Sequence, residues 1–194
     1  MRATSVMQSI VDNISKTIDE LSEGDVDALI KAIRTSQRIF LWGAGRSGLM
    51  AKAFAMRLSQ LGFVVYVVGE TISPGMKQGD VFIVVSGSGE TTSVVNAAKV
   101  AKELGVHVIA VTSYVTSTLG NLSDKAIHIK GKTKVDIEKD HLKHQIQGVH
   151  SFLTPMGTLF EDTVLVFFDG VVGKLMNELR ATERHMMGRH SKLE

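Results

Sequence analysis

Short runs of apolar residues alternate along the chain with stretches in which apolar side chains recur every three or four positions. The clearest run is Val81–Val85, VFIVV, unbroken as a strand buried on both faces requires. After it, Val94, Val95, Ala98 and Ala101 return at helical spacing, which predicts a helix over Thr91–Leu104 closed by Gly105. The same alternation predicts strands at Arg38–Trp42, Phe63–Val68, Val106–Val111 and Ala126–Ile129. A helix after Gly48 turns Met50, Ala51, Phe54, Ala55, Leu58 and Leu61 inward and stops at Gly62. Two helices precede the first strand. One spans residues 1–22, with Met7, Ile10, Val11, Ile14, Ile18 and Leu21 on one face; the other starts near Asp25 as N-cap and buries Leu29, Ile30 and Ile33. A short helical piece is expected around Ser117–Leu122, and a long apolar helix from Pro155 to Leu179. Between them residues 131–150 are polar, with Asp136, Glu138, Asp140, His141, His144 and His150, and read as a partly helical surface excursion.

Strands alternating with helices predict one α/β domain over residues 1–194: a three-layer α/β/α sandwich with a five-stranded parallel sheet, flavodoxin-like in order. Residues 1–37 supply N-terminal helices, 38–130 the sheet and its crossovers, and 131–194 the excursion, last helix and basic tail. In such a sheet the ligand sits beyond the carboxyl ends of the strands, at the switch in strand order. The loops at 43–48, 86–92 and 112–118 are expected to gather there.

Two of those loops carry chemistry. Ser86-Gly87-Ser88-Gly89-Glu90-Thr91-Thr92 joins a strand to a helix N-terminus, where glycines admit a ligand, hydroxyls donate and unpaired first-turn amides favour an anion. No lysine follows, so it is not a nucleotide P-loop; it reads as a cradle for one small phosphate. Gly43-Ala44-Gly45-Arg46-Ser47-Gly48 fits the dinucleotide fingerprint, with Glu70 near the place of a ribose-binding acid. A second anion loop two strands later favours a sugar-phosphate pocket instead.

Composition narrows the classes. A net charge of +2 gives no reason to expect nucleic acid or a membrane as partner. The absence of Cys excludes disulfides, thiolate nucleophiles and Cys–zinc sites, and suits the cytoplasm. The N-terminus lacks the apolar core of a secretion signal, and Asp169 and Lys174 interrupt the last long apolar stretch, so no membrane span is expected. His141 and His144 are spaced to share a helix face, but no carboxylate–His pattern joins them and no metal site is expected.

The loop pair GAGRSG and SGSGET resembles the sugar isomerase (SIS) domain family. Within it, Thr154–Glu161 (TPMGTLFE) and the ending from Arg189 to Glu194 are similar to the 6-phospho-3-hexuloisomerases, with Ser191-Lys192 departing from their Ala-Asn. The resemblance implies a cofactor-independent isomerase that moves a carbonyl between C3 and C2 of an open-chain hexulose 6-phosphate through a cis-enediol. It implies Glu161 as the base and His190 as acid–base partner, with His150 and His144 as rivals. Ser86, Gly87, Ser88 and Thr91 would hold the phosphate, and Gly45, Arg46, Ser47, Thr112 and Ser113 would complete the substrate site. It also implies a homotetramer, and a place in formaldehyde fixation (the ribulose monophosphate pathway) or in pentose supply. Alternatives are another isomerase of the family, such as one acting on arabinose 5-phosphate, or a non-catalytic sugar-phosphate sensor. Residues 1–37 are too short and too weakly basic for the DNA-binding unit such a sensor carries.

Overall fold

The five strands pair in the order β2-β1-β3-β4-β5, all parallel, as the pattern predicts. They are β1 (Ile39–Gly43), β2 (Val65–Val67), β3 (Val81–Val85), β4 (His107–Thr112) and β5 (Lys125–His128). The helices are α1 (Ala3–Glu20), α2 (Glu23–Thr35), α3 (Gly45–Leu61), α4 (Thr92–Glu103), α5 (Thr118–Leu122), α6 (Thr158–Leu179) and α7 (Glu183–Met187). The structure, a computed structural model, describes residues 2–131 and 157–189. Residues 132–150 of the polar excursion, the Thr154–Met156 part of the TPMGTLFE segment, and His190 with the rest of the tail lie outside the described residues.

Alternation along the strands builds two cores. Ile39, Leu41, Val81, Ile83, Val85, Ile109, Val111 and Ile127 face α2, α3 and α6. Phe40, Phe82, Val84, Val108 and Ala110 face α4 and α5. The central strand β3 is buried at every position, which is why VFIVV is apolar throughout. Phe54 of α3 stacks on Phe168 of α6 with ring centroids 4.1 Å apart, tying the helix that opens at the GAGRSG loop to the helix that carries Glu161.

Two boundaries and one burial pattern differ from what the pattern suggests. β2 is only three residues long, because it is an edge strand paired to β1 alone and half-buried. α2 begins at Glu23 behind Ser22, so Asp25 lies in its first turn instead of capping it, where its charge suits the helix dipole. α1 forms as expected, but Met7, Val11 and Ile18 stay exposed and only Thr17 is buried.

At the far end of the sheet from the loops, Asp80 is fully buried and accepts two hydrogen bonds from Arg38, at 2.9 and 2.6 Å, and one from the Lys77 amide at 2.8 Å. Burial alone would raise its carboxyl; the Arg38 and Lys77 bonds outweigh that and hold it below the usual aspartate range. This pair anchors β3 to the start of β1.

Candidate functional site

In this strand order the switch point falls between β1 and β3, and the loops leaving both strands open into one cleft of about 520 Å³. Its walls are Gly45, Arg46 and Ser47 after β1, Ser86, Gly87, Ser88 and Thr91 after β3, and Gly157, Thr158, Phe160 and Glu161 at the start of α6. The N-termini of α3, α4 and α6 therefore meet there. Each contributes unpaired amides and the positive end of a dipole, an arrangement suited to a dianion.

The β1–α3 connection is tight for a packing reason. A Cβ on Gly48 would lie 2.4 Å from the Gly43 carbonyl oxygen, and one on Gly43 would lie 2.9 Å from Val85 O. Gly45, by contrast, has φ +58° and open space where its side chain would be. The first and last glycines of the fingerprint bring helix against strand; the middle one leaves backbone bare to the cleft.

The β3–α4 loop is braced from behind. Ser86 N donates to Val111 O and Ser113 N to Gly87 O, both at 3.0 Å. Thr112 Oγ1 donates to Gly87 O at 3.2 Å, and Ser113 Oγ to Ile129 O at 2.9 Å. Thr112 and Ser113 are thus occupied inside the scaffold and are not part of the cleft wall. Glu90, which the sequence reading left without a role, accepts from Thr118 N at 2.8 Å and Thr118 Oγ1 at 2.7 Å, bonds that hold it below the usual carboxylate range. Within the loop Ser86 Oγ accepts from Gly89 N at 3.2 Å and lies 3.4 Å from Thr91 Oγ1. Among the described residues the amides of Gly87 and Ser88 make no hydrogen bond. They stand free beside the first-turn amides of α4.

Glu161 closes the opposite wall. It lies in the first turn of α6, its N–H bonded to Gly157 O at 3.0 Å, and its side chain folds back toward Gly157. The side chain is 14% exposed. Arg46 Nε lies 2.7 Å from Glu161 Oε2, and Arg46 Nη2 donates to Asp162 at 3.0 Å. The Nε contact is close in distance but poorly aligned, so Oε2 is buried without a hydrogen bond. Burial pushes the Glu161 carboxyl above the ordinary glutamate range, against the opposing pull of the Arg46 guanidinium; the neighbouring Asp162 charge adds to the rise. A half-paired carboxylate with raised proton affinity, facing an anion cradle, is equipped to take a proton from a bound phosphorylated molecule and return it.

The site thus brings together Gly45, Arg46, Ser47, Ser86, Gly87, Ser88, Thr91 and Glu161 of the expected residues. His190, His144 and His150 lie outside the described residues. Asp162, next to Glu161 in the chain, shares Arg46 with it. Among the described residues no group of His, Asp or Glu is arranged to hold a metal ion. No helix among them is long and apolar enough to cross a membrane.

Residues 32–138 match the SIS domain family model. An uncharacterized protein of Aeropyrum pernix is 44% identical, over 97% of this chain and 91% of its own. The 3-hexulose-6-phosphate isomerase of Bacillus subtilis is 38% identical over the full length of both chains. A crystal structure from Methanococcus jannaschii, described as inferring a 3-hexulose-6-phosphate isomerase function, superposes with a TM-score of 0.81 at 34% identity, over 97% of this chain and 98% of that one.

Proposed function

The chain belongs to the SIS domain family, and we propose that it is an isomerase interconverting D-arabino-hex-3-ulose 6-phosphate and fructose 6-phosphate. The observation that carries this reading is the pairing of a phosphate-sized anion cradle at 86–92 with the buried, proton-avid carboxylate of Glu161 across one cleft. Full-length similarity to proteins named 3-hexulose-6-phosphate isomerase supports the same substrate.

The phosphate monoester sits against Ser86, Ser88, Thr91 and the free amides of the loop. Glu161 removes the C2 proton, and the C–H electron pair moves into C2–C3 as the C3 carbonyl oxygen takes a proton. The resulting cis-enediol loses the O2 proton, C3 takes back a proton from Glu161, and C2 becomes the carbonyl. One hydrogen leaves and one returns, so the step is balanced without an external oxidant or reductant. Arg46 restrains the rise in Glu161's proton affinity, keeping an ionised fraction at working pH.

The acid–base partner for the hydroxyl protons is His190 in this reading, acting on the cleft of a neighbouring copy. Arg189 Nη1 lies 3.5 Å from Gln60 O, and its guanidinium covers Gly62 at the C-terminus of α3. The N-terminus of α3 lines the cleft, so the two ends are roughly 22 Å apart at 1.5 Å per residue. The same reading makes the protein a cytoplasmic homotetramer serving formaldehyde fixation.

The test is a coupled assay that supplies the 3-hexulose 6-phosphate and reads fructose 6-phosphate. Turnover well above that on arabinose 5-phosphate is expected. Absence of fructose 6-phosphate, or a preference for the pentose phosphate, would overturn the substrate assignment.

A further inference from the structure

Helix α1 contributes nothing to the cleft wall, yet one of its side chains reaches the turn that carries Glu161. Asn13 Nδ2 lies 2.9 Å from Lys130 O, 2.9 Å from Thr163 Oγ1 and 3.4 Å from Leu159 O. Leu159 and Thr163 flank Glu161 two residues to either side, and Lys130 is on the exit from β5. The identity of the donor follows from its partners. Two are carbonyls, and the Thr163 hydroxyl already donates to Leu159 O at 2.6 Å, so all three can only accept from Asn13.

A second contact reinforces the clamp. A Cβ on Gly131 would lie 2.5 Å from Phe160 Cα and 2.7 Å from Phe160 N, so the β5 exit rests directly on the backbone next to Glu161. Beneath it Thr17 Oγ1 donates to the main-chain carbonyl of Asn13 at 2.9 Å, a bond within α1 itself. Asn is a poor residue for the middle of a helix. Its presence eleven residues into α1 is explained by what its amide grips.

We infer that Asn13 is a positioning residue for Glu161: its amide ties the exit of β5 to the first turns of α6 and so fixes where the carboxylate stands relative to the 86–92 loop. The inference rests on the reading of Glu161 as the base. It gives α1 a part in the chemistry although α1 touches no substrate.

Asn13→Ala is tested against Leu29→Ala, a core truncation in α2 away from the cleft, and against Glu161→Gln. For Asn13→Ala, kcat is expected to fall about 10- to 100-fold, as for a catalytic group displaced by around 1 Å. KM stays within about twofold, because the phosphate loop is untouched. The acid limb of the kcat–pH profile moves to lower pH as Glu161 gains water. Leu29→Ala lowers the thermal midpoint but leaves kcat and that limb in place. If Asn13→Ala does not fold, Thr163→Val, which keeps shape and removes one acceptor, shows the same changes in smaller measure. Unchanged kcat and pH limb in the Asn13 or Thr163 variant, with turnover lost in Glu161→Gln, overturns the positioning role alone. An equal kcat loss in Leu29→Ala overturns it too. Full turnover in Glu161→Gln overturns the base assignment on which it stands.

Discussion

Gly48→Ala adds one methyl at the tightest point between β1 and α3. Its Cβ would lie 2.4 Å from the Gly43 carbonyl oxygen and 3.1 Å from the carbonyl carbon. Both are backbone atoms of a central strand, so no side chain can swing aside. Restoring an ordinary contact requires α3 to retreat by about 1 Å. Overpacking of this kind costs about 1–3 kcal/mol. The gain from replacing a helical glycine by alanine is about 1 kcal/mol, leaving a net loss of roughly 0–2 kcal/mol. The retreat carries Arg46 and Ser47 with it, and a misplacement of about 1 Å in a catalytic site costs about 100-fold in rate. The control is Gly173→Ala in α6, where nothing lies within 4 Å of the added carbon; there the protein gains roughly 0.5–1 kcal/mol and keeps its activity. Urea unfolding and kcat/KM with the hexulose phosphate read both effects. Wild-type stability and kcat/KM in Gly48→Ala would show that this glycine is not the point of close approach, and the packing argument for the cleft would fail.

Arg46→Met removes the cation that favours ionised Glu161, so the acid limb of the kcat/KM–pH profile moves to higher pH; a limb that stays or drops contradicts the pairing. Asp80→Asn leaves the Arg38 guanidinium without its anion and costs about 3 kcal/mol in urea unfolding at neutral pH. Because Asp80's carboxyl is held low in the folded protein, its contribution is complete above the ordinary aspartate range and is lost as pH falls through the depressed folded value. The variant's stability should therefore depend less on pH in that acid window, and an undiminished dependence contradicts the assignment. Glu90→Ala frees the phosphate loop from Thr118 and raises KM about fivefold with little change in kcat, the loss of one charged hydrogen-bonding group. A lower KM would mean that removing a negative charge near the phosphate outweighs the anchor.

The layers of the fold were legible because burial on both faces leaves an unmistakable mark: Val81–Val85 had no polar residue to hide. The cleft was legible from its loops, since glycines and hydroxyls between a strand and a helix have few other uses. β2 is shorter than its apolar run because Phe63 and Val64 are as apolar as the strand they lead into, and pairing, not hydropathy, ends an edge strand. Thr112 and Ser113 look like ligand donors in sequence; only the spatial return of β4 beside Gly87 shows that their hydroxyls are already engaged. The bond from Asn13 to Thr163 spans 150 positions and the charge shared by Arg46 and Asp162 spans 116, distances at which a one-dimensional pattern carries no trace.

The whole mechanism stands on Glu161 as the base that moves hydrogen between C2 and C3. Its most direct test is Glu161→Gln, assayed for fructose 6-phosphate formation while Trp42, the chain's one tryptophan and three residues before the cleft glycine Gly45, reports sugar-phosphate binding by fluorescence. Binding is expected to stay intact while kcat falls by about 10²–10⁴-fold. A variant that binds and turns over like the wild type would contradict it.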